Sequence, residues 1–207
     1  DGTLTDPAVG ITGSYRHALA TVGHPVGDQV DLRWMIGPAL RDNFTRHGLP
    51  DALHDEAVVA FRARHTEVGL FEATLVPGVV EVPAAPAAAG VALAPATAPP
   101  VAQATTTLDH FDLAGYFEVV AGGVADGLPR SKSEIVADAL DGLGRPAAER
   151  VAMVGDRLHD VHGGRDNGCV TVAVEWGFAE PGELDAVAPD HRVATPSDLL
   201  DLLLRLP

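Results

Sequence analysis

Two carboxylates four residues apart, placed just after a short apolar run, give the strongest chemical signal in this chain. Val151-Ala152-Met153-Val154 leads to Gly155, then to Asp156 and Asp160. A buried strand that stops at a glycine presents both acids at its carboxyl end. Oxygen donors so placed suit a hard cation such as Mg2+, which demands a tight octahedron of oxygens. They also fit a plainer description, an Asp capping the next helix with a solvated Asp behind it. Thr97 ends a second apolar run, 91–96, ahead of Ala98-Pro99-Pro100. A hydroxyl and free N–H groups at such a turn can hold a phosphate oxygen, or Thr97 can simply cap a helix. Lys132, in Ser131-Lys132-Ser133-Glu134, either supplies positive charge to a site or is solvated. The sequence opens on a further acid, in Asp1-Gly2-Thr3-Leu4-Thr5-Asp6.

The elements that must position these residues change character near Pro77-Gly78. Before that point the pattern is helical. Asp6-Pro7 reads as an N-cap with Pro at the first helical position. Ile11, Tyr15, Ala18, Leu19 and Val22 then share a face, and Gly23 ends the helix. Further helices are predicted over 38–47 and 52–70, making a small helical bundle. After Pro77-Gly78, strand-like runs at 90–96, 117–121, 151–154 and 170–174, with a weaker one at 192–194, alternate with helical segments at 100–108, 133–143, 158–167 and 197–206. That alternation implies βαβ units and a parallel sheet covered on both faces, with ligands bound at the carboxyl ends of strands.

Composition narrows the partners. With 29 acidic and 14 basic residues the formal charge of the 207-residue chain is −15, which disfavours nucleic acid and anionic membranes. Residues 82–108 carry no charge, but five prolines interrupt them and their apolar residues are mostly Ala, so a membrane span is not expected. The single cysteine, Cys169, allows no intramolecular disulfide and fits a reducing compartment, so a cytoplasmic location is expected. The sequence says nothing of oligomeric state. Trp34 and Trp176 read as packing residues. His159 and His162 read as surface residues.

The order of the chemical residues is more specific than any one of them. Asp-Gly-Thr, a strand ending in Thr, Lys before a helix, then Gly-Asp-x-x-x-Asp after a strand resembles the four-motif succession of haloacid dehalogenase-like hydrolases. Leu75-Val76-Pro77-Gly78-Val79, His110-Phe111-Asp112-Leu113, Val154-Gly155-Asp156-Arg157 and Val174-Glu175-Trp176-Gly177-Phe178 are similar to segments of its phosphoglycolate-phosphatase-like branch. The resemblance implies an α/β fold: a three-layer Rossmann-like core with a parallel sheet, at 1–7 and 76–207. A small inserted α-helical cap at 8–75 would close over the site and select the substrate.

The implied activity is Mg2+-dependent hydrolysis of a small phosphate ester through an aspartyl-phosphate. The nucleophile would be an Asp two residues before Asp1, so the sequence is expected to belong to a longer chain that carries it and the first core strand. Asp1 would act as acid and base, with its carbonyl binding Mg2+. Asp156 would ligate the metal, with Asp160 positioning it or its waters. Thr97 would bind the phosphoryl group, and Lys132 would offset its charge. An acid at the position of Asp1 favours phosphoryl transfer over carbon–halogen cleavage. Phosphoglycolate, pyrophosphate, sugar phosphates and nucleoside monophosphates all remain open as substrates. A phosphomutase and a catalytically inactive binding protein are the alternatives. The chain departs from the family at Ala98-Pro99-Pro100, where Ser-Lys-Pro is usual. Pro95 falls inside an expected strand, and Pro83 and Pro86 inside an expected helix.

Overall fold

The computed structural model describes residues 1–124 and 130–206. Along the chain its elements are β1 (Thr5–Asp6), α1 (Ala8–Thr21), α2 (Leu40–His47), α3 (His54–Glu67), β2 (Thr74–Leu75), α4 (Glu81–Ala88), β3 (Ala96–Pro100) and α5 (Val101–His110). There follow β4 (Ala121–Gly123), α6 (Lys132–Gly142), β5 (Ala152–Gly155), α7 (Leu158–Asp166), β6 (Val170–Val174), α8 (Glu183–Val187), β7 (His191–Val193) and α9 (Pro196–Leu203). The chain divides into two compact units, one of residues 1–5 with 75–207 and one of residues 6–74.

In the unit of residues 6–74 the Asp6 carboxylate accepts the N–H of Ala8 at 2.9 Å, satisfying one of the free donors at the start of α1. α1 packs against α3. Tyr15 is the hub of the core, its ring centroid 4.6 Å from that of Phe61 and 5.5 Å from that of Phe44. The Tyr15 hydroxyl accepts the Asn43 amide at 2.6 Å, and the same amide reaches the Met35 carbonyl at 2.7 Å. The helix expected over 52–70 is shorter. A 3-10 turn at Asp51–Leu53 precedes α3 and another at Gly69–Glu72 follows it. Gly10 packs so close to the Gly69 carbonyl that a β-carbon at Gly10 would overlap it.

The unit of residues 1–5 and 75–207 is α/β. β5, β6 and β7 form a parallel three-stranded sheet, with Ala152 opposite Val170 and Val172 opposite His191. β3 and β4 pair in parallel with a shifted register. Val172 and Val174 join Val79, Val82, Val193 and Leu199 in a buried cluster, with α4 and α9 covering the strands. Among the described residues no helix is long and apolar enough to cross a membrane.

Two strand expectations need correction. The run 90–96 does not form a strand; β3 begins at Ala96, where that run ends. The carbonyls of Leu93 and Pro95 accept the N–H groups of Glu118 and Ala121 at 2.9 Å. Pro95 has no N–H to return, so the ladder fails there. Likewise β4 begins at Ala121, where the run 117–121 was expected to end. Thr97 is therefore the second residue of a strand, not the residue after one. α4 tolerates its prolines because Pro83 lies in the first turn, where N–H groups have no helical partner. Pro86 forfeits one bond in a helix that ends two residues later, and both rings are buried.

Candidate active site

At the end of β5, Gly155 brings the chain into the first turn of α7, and Asp156 and Asp160 both lie buried, at 4% and 6% exposure. A β-carbon on Gly155 would overlap the Asp160 carboxylate, so only glycine lets the strand end this close to it. Asp160 has both oxygens engaged. Oδ1 meets Lys132 Nζ at 2.8 Å, and Oδ2 accepts the N–H of Arg157 at 3.0 Å. Lys132 also donates to the Ala96 carbonyl at 2.9 Å, so one ammonium joins β3 to the carboxylates after β5. The N-cap Ser131, in a reciprocal box with Glu134, starts α6 and fixes where Lys132 leaves the helix. Gly163 on α7 leaves room for the Lys132 stem, since a β-carbon there would lie 2.6 Å from Lys132 Cγ.

Asp156 Oδ2 accepts the N–H of Phe178 at 2.8 Å. Burial pushes its carboxyl pKa up, and the nearby Asp160 pushes it further; the Phe178 N–H and Arg157 act the other way. Two glycines close on it. A β-carbon on Gly177 would overlap the Asp156 β-carbon, and one on Gly2 would overlap its carboxylate. The Asp1-Gly2-Thr3 backbone thus lies directly against Asp156. Gly2 has φ +75°, and its N–H donates to the Thr5 carbonyl at 2.8 Å, closing a turn. The Thr5 hydroxyl donates to Asp1 Oδ1 at 3.3 Å.

Asp1, Lys132, Asp156 and Asp160 are therefore brought together. Thr97 directly follows Ala96, whose carbonyl holds Lys132 at 2.9 Å. The sequence reading missed a second layer. Glu183 accepts from Arg157 Nε and from the N–H of Leu158, both at 2.8 Å, and from Arg157 Nη2 at 3.0 Å and the N–H of Glu180 at 3.1 Å. Burial alone would raise the Glu183 pKa, but these hydrogen bonds hold it below the usual glutamate value. The pair is nearly fully buried, with side-chain exposures of 10% and 6%, and it locks the turn between Asp156 and α7. Glu183 heads the short helix α8, which no periodicity announced; the apolar pattern of the chain carries no sign of an ion pair 26 residues apart.

Comparison with known proteins identifies the family. The family model for haloacid dehalogenase-like hydrolases matches residues 1–168. The chain belongs to that family. Among curated relatives, the tyrosine-protein kinase PtkA of Mycobacterium tuberculosis is 40% identical over 185 residues, 89% of this chain, which spans only 63% of that protein's length. A 5'-nucleotidase of Pseudomonas aeruginosa is 37% identical over 98% of this chain and 92% of its own. The crystal structure of a predicted phosphatase from Clostridium acetobutylicum superposes with a TM-score of 0.91 at 29% identity, covering 100% of this chain and 95% of that one. The fold is thus the haloacid dehalogenase-like α/β core.

The donor set fits the divalent cation that the family implies. Among the described residues no three side chains of His, Cys, Asp or Glu converge as a metal cluster. Mg2+ does not need such a cage, since it is ordinarily held by one or two carboxylates together with phosphate and water oxygens. A buried carboxylate beside a second one, with a main chain pressed against it, supplies that kind of partial site. Asp156 and the Asp1 carbonyl are the groups the family resemblance would assign to the ion, with Asp160 beside Asp156.

Proposed function

We propose that this protein is a Mg2+-dependent phosphatase of small phosphate monoesters, working through an aspartyl-phosphate. The observation that carries the reading is the meeting of Asp156, Asp160, Lys132 and the Asp1-Gly2-Thr3 backbone at the carboxyl end of β5. In this reading the nucleophile is the Asp expected two residues before Asp1. Asp1 protonates the leaving oxygen and then takes a proton from the attacking water. Lys132 sets positive charge against the phosphoryl oxygens, and Thr97 donates a hydrogen bond to them. Asp160 orients Lys132 and the start of α7. Mg2+ held by Asp156 and the Asp1 carbonyl would supply charge neutralisation for the transferring group. The helical unit is assigned the role of substrate-selecting cap.

The similarity to a protein named a 5'-nucleotidase, over nearly the whole of both chains, puts nucleoside monophosphates first among the substrates to try. A curated phosphoglycolate phosphatase of Caulobacter vibrioides, 33% identical over 87% of this chain, puts phosphoglycolate second. A second reading rests on PtkA, a relative named as a kinase: the same aspartyl-phosphate would pass its phosphoryl group to a protein hydroxyl instead of water. Incubating the full-length protein with Mg2+ and a panel of these esters tests the first reading, and repeating it with ATP as phosphoryl donor and a tyrosine-containing protein as acceptor tests the second. Release of inorganic phosphate, abolished by EDTA and restored by Mg2+, is the expected result. No phosphate release from any ester, p-nitrophenyl phosphate included, would overturn it. Phosphate retained on a protein acceptor would favour the second reading.

A further inference from the structure

The family's site residues do not explain how the Asp1-Gly2-Thr3 segment keeps its place beside Asp156. Those two pieces are more than 150 residues apart in sequence, and the chemistry proposed above needs them in fixed register. One short stretch, Trp176-Gly177-Phe178, touches both. The Trp176 indole N–H donates to the Thr3 carbonyl at 3.0 Å. Two residues later the Phe178 N–H donates to Asp156 Oδ2 at 2.8 Å. Between them Gly177 lies so close to Asp156 that no side chain fits.

The indole itself is seated. Trp176 follows β6 and packs against the buried cluster of Val79, Val172, Val174 and Val193, beside Leu4 and Leu75. A ring anchored in the core with its N–H at a polar acceptor is the ordinary use of a buried tryptophan. Here the acceptor belongs to the segment that carries the acid/base. Two peptide units separate the Trp176 tie from the Phe178 tie, and the packing of Gly177 against Asp156 limits the freedom of the stretch between them.

We propose that Trp176 is a positioning residue for phosphoryl transfer. Its indole N–H sets the Asp1-Gly2-Thr3 backbone at working distance from Asp156, and it does so without touching substrate. The inference rests on the phosphatase reading above and adds a residue to it. Losing one such hydrogen bond is worth about tenfold in rate if it is felt only in the transition state, and misplacement of a site by about 1 Å costs up to roughly 100-fold.

The test compares full-length wild-type protein with Trp176→Phe and with a variant carrying β-(3-benzothienyl)alanine at position 176. That residue keeps the tryptophan shape and removes only the N–H donor, so it covers the case in which the Phe variant folds poorly. With p-nitrophenyl phosphate, the isosteric variant is expected to lose about tenfold in kcat with KM within about twofold. Its Mg2+ affinity, measured by calorimetry without substrate, is expected to weaken several-fold, while its Tm stays close to wild type. Unchanged kcat and Mg2+ affinity in the isosteric variant would overturn the proposal, whatever the Phe variant does to stability. Asp156→Asn is measured alongside. If Asp156→Asn keeps full activity, the site reading itself fails and this inference falls with it. If Asp156→Asn is dead and the isosteric variant is normal, only the role of Trp176 is lost.

Discussion

The carboxyl end of β5 and the strand β3 both bear on the candidate site, and they are built in opposite ways. After β5 the chemistry is in side chains: Asp156, Asp160 and Arg157 are buried, and their partners come from α6, α8 and the stretch after β6. β3 contributes mainly backbone. The Ala96 carbonyl holds Lys132, and the Ala98 and Pro99 carbonyls crowd Gly122 and Gly123, where a β-carbon would come within 2.7 Å of Pro99 O. Pro99 and Pro100 can donate no hydrogen bond at all. The end of β5 is thus over-determined by charged partners and β3 by close packing against glycines. Damage to the first should appear in both folding and activity, and damage to the second mainly in stability.

Glu183→Gln should show the largest loss of stability. It takes the charge from one partner of a nearly buried pair, a change that costs up to about 3–5 kcal/mol. Urea denaturation would register it, and an effect under about 1 kcal/mol would mean the pair behaves like a surface one. Gly177→Ala should destabilise the fold by about 1–3 kcal/mol and also lower kcat about 100-fold, because the added methyl must push Asp156 away from its partners. A nearly normal kcat would show that Asp156 has more freedom than its packing implies.

On the β3 side, Gly122→Ala should destabilise by about 1–3 kcal/mol through overpacking against Pro99, with kcat of the folded fraction little changed. Loss of activity without loss of stability would erase the contrast between the end of β5 and β3. Thr97→Ala should have the smallest effect, about tenfold or less in kcat/KM, the scale of one neutral hydrogen bond. A thousandfold loss would place Thr97 much closer to the reacting phosphate than its position in β3 suggests.

The same contrast explains what could be read in the sequence. β6 was expected at 170–174 and lies there, because Val170, Val172 and Val174 alternate with small residues in a sheet covered on both faces. α6 and α7 start or end within a residue or so of expectation, since Ser131 and Gly155 mark their beginnings chemically. Asp156 and Asp160 were legible because Gly-Asp-x-x-x-Asp after an apolar run is a local pattern. β3 was misplaced because Pro95 breaks the ladder and moves strand character past Thr97. Glu183 and Trp176 were not legible as site-supporting residues: Glu183 acts through a distant arginine, and Trp176 through a distant main-chain carbonyl. Neither partner type leaves a periodic trace.

The central claim is that Asp156, buried at the end of β5 and held by the Phe178 N–H, is the carboxylate on which Mg2+-dependent phosphoryl transfer depends. Asp156→Asn keeps the size of the side chain and an oxygen to accept that N–H, and removes the charge. Phosphate release from p-nitrophenyl phosphate by the full-length variant should fall at least about 1000-fold across all Mg2+ concentrations, with the fold retained by circular dichroism. Turnover within a few-fold of wild type in the folded variant would contradict the account.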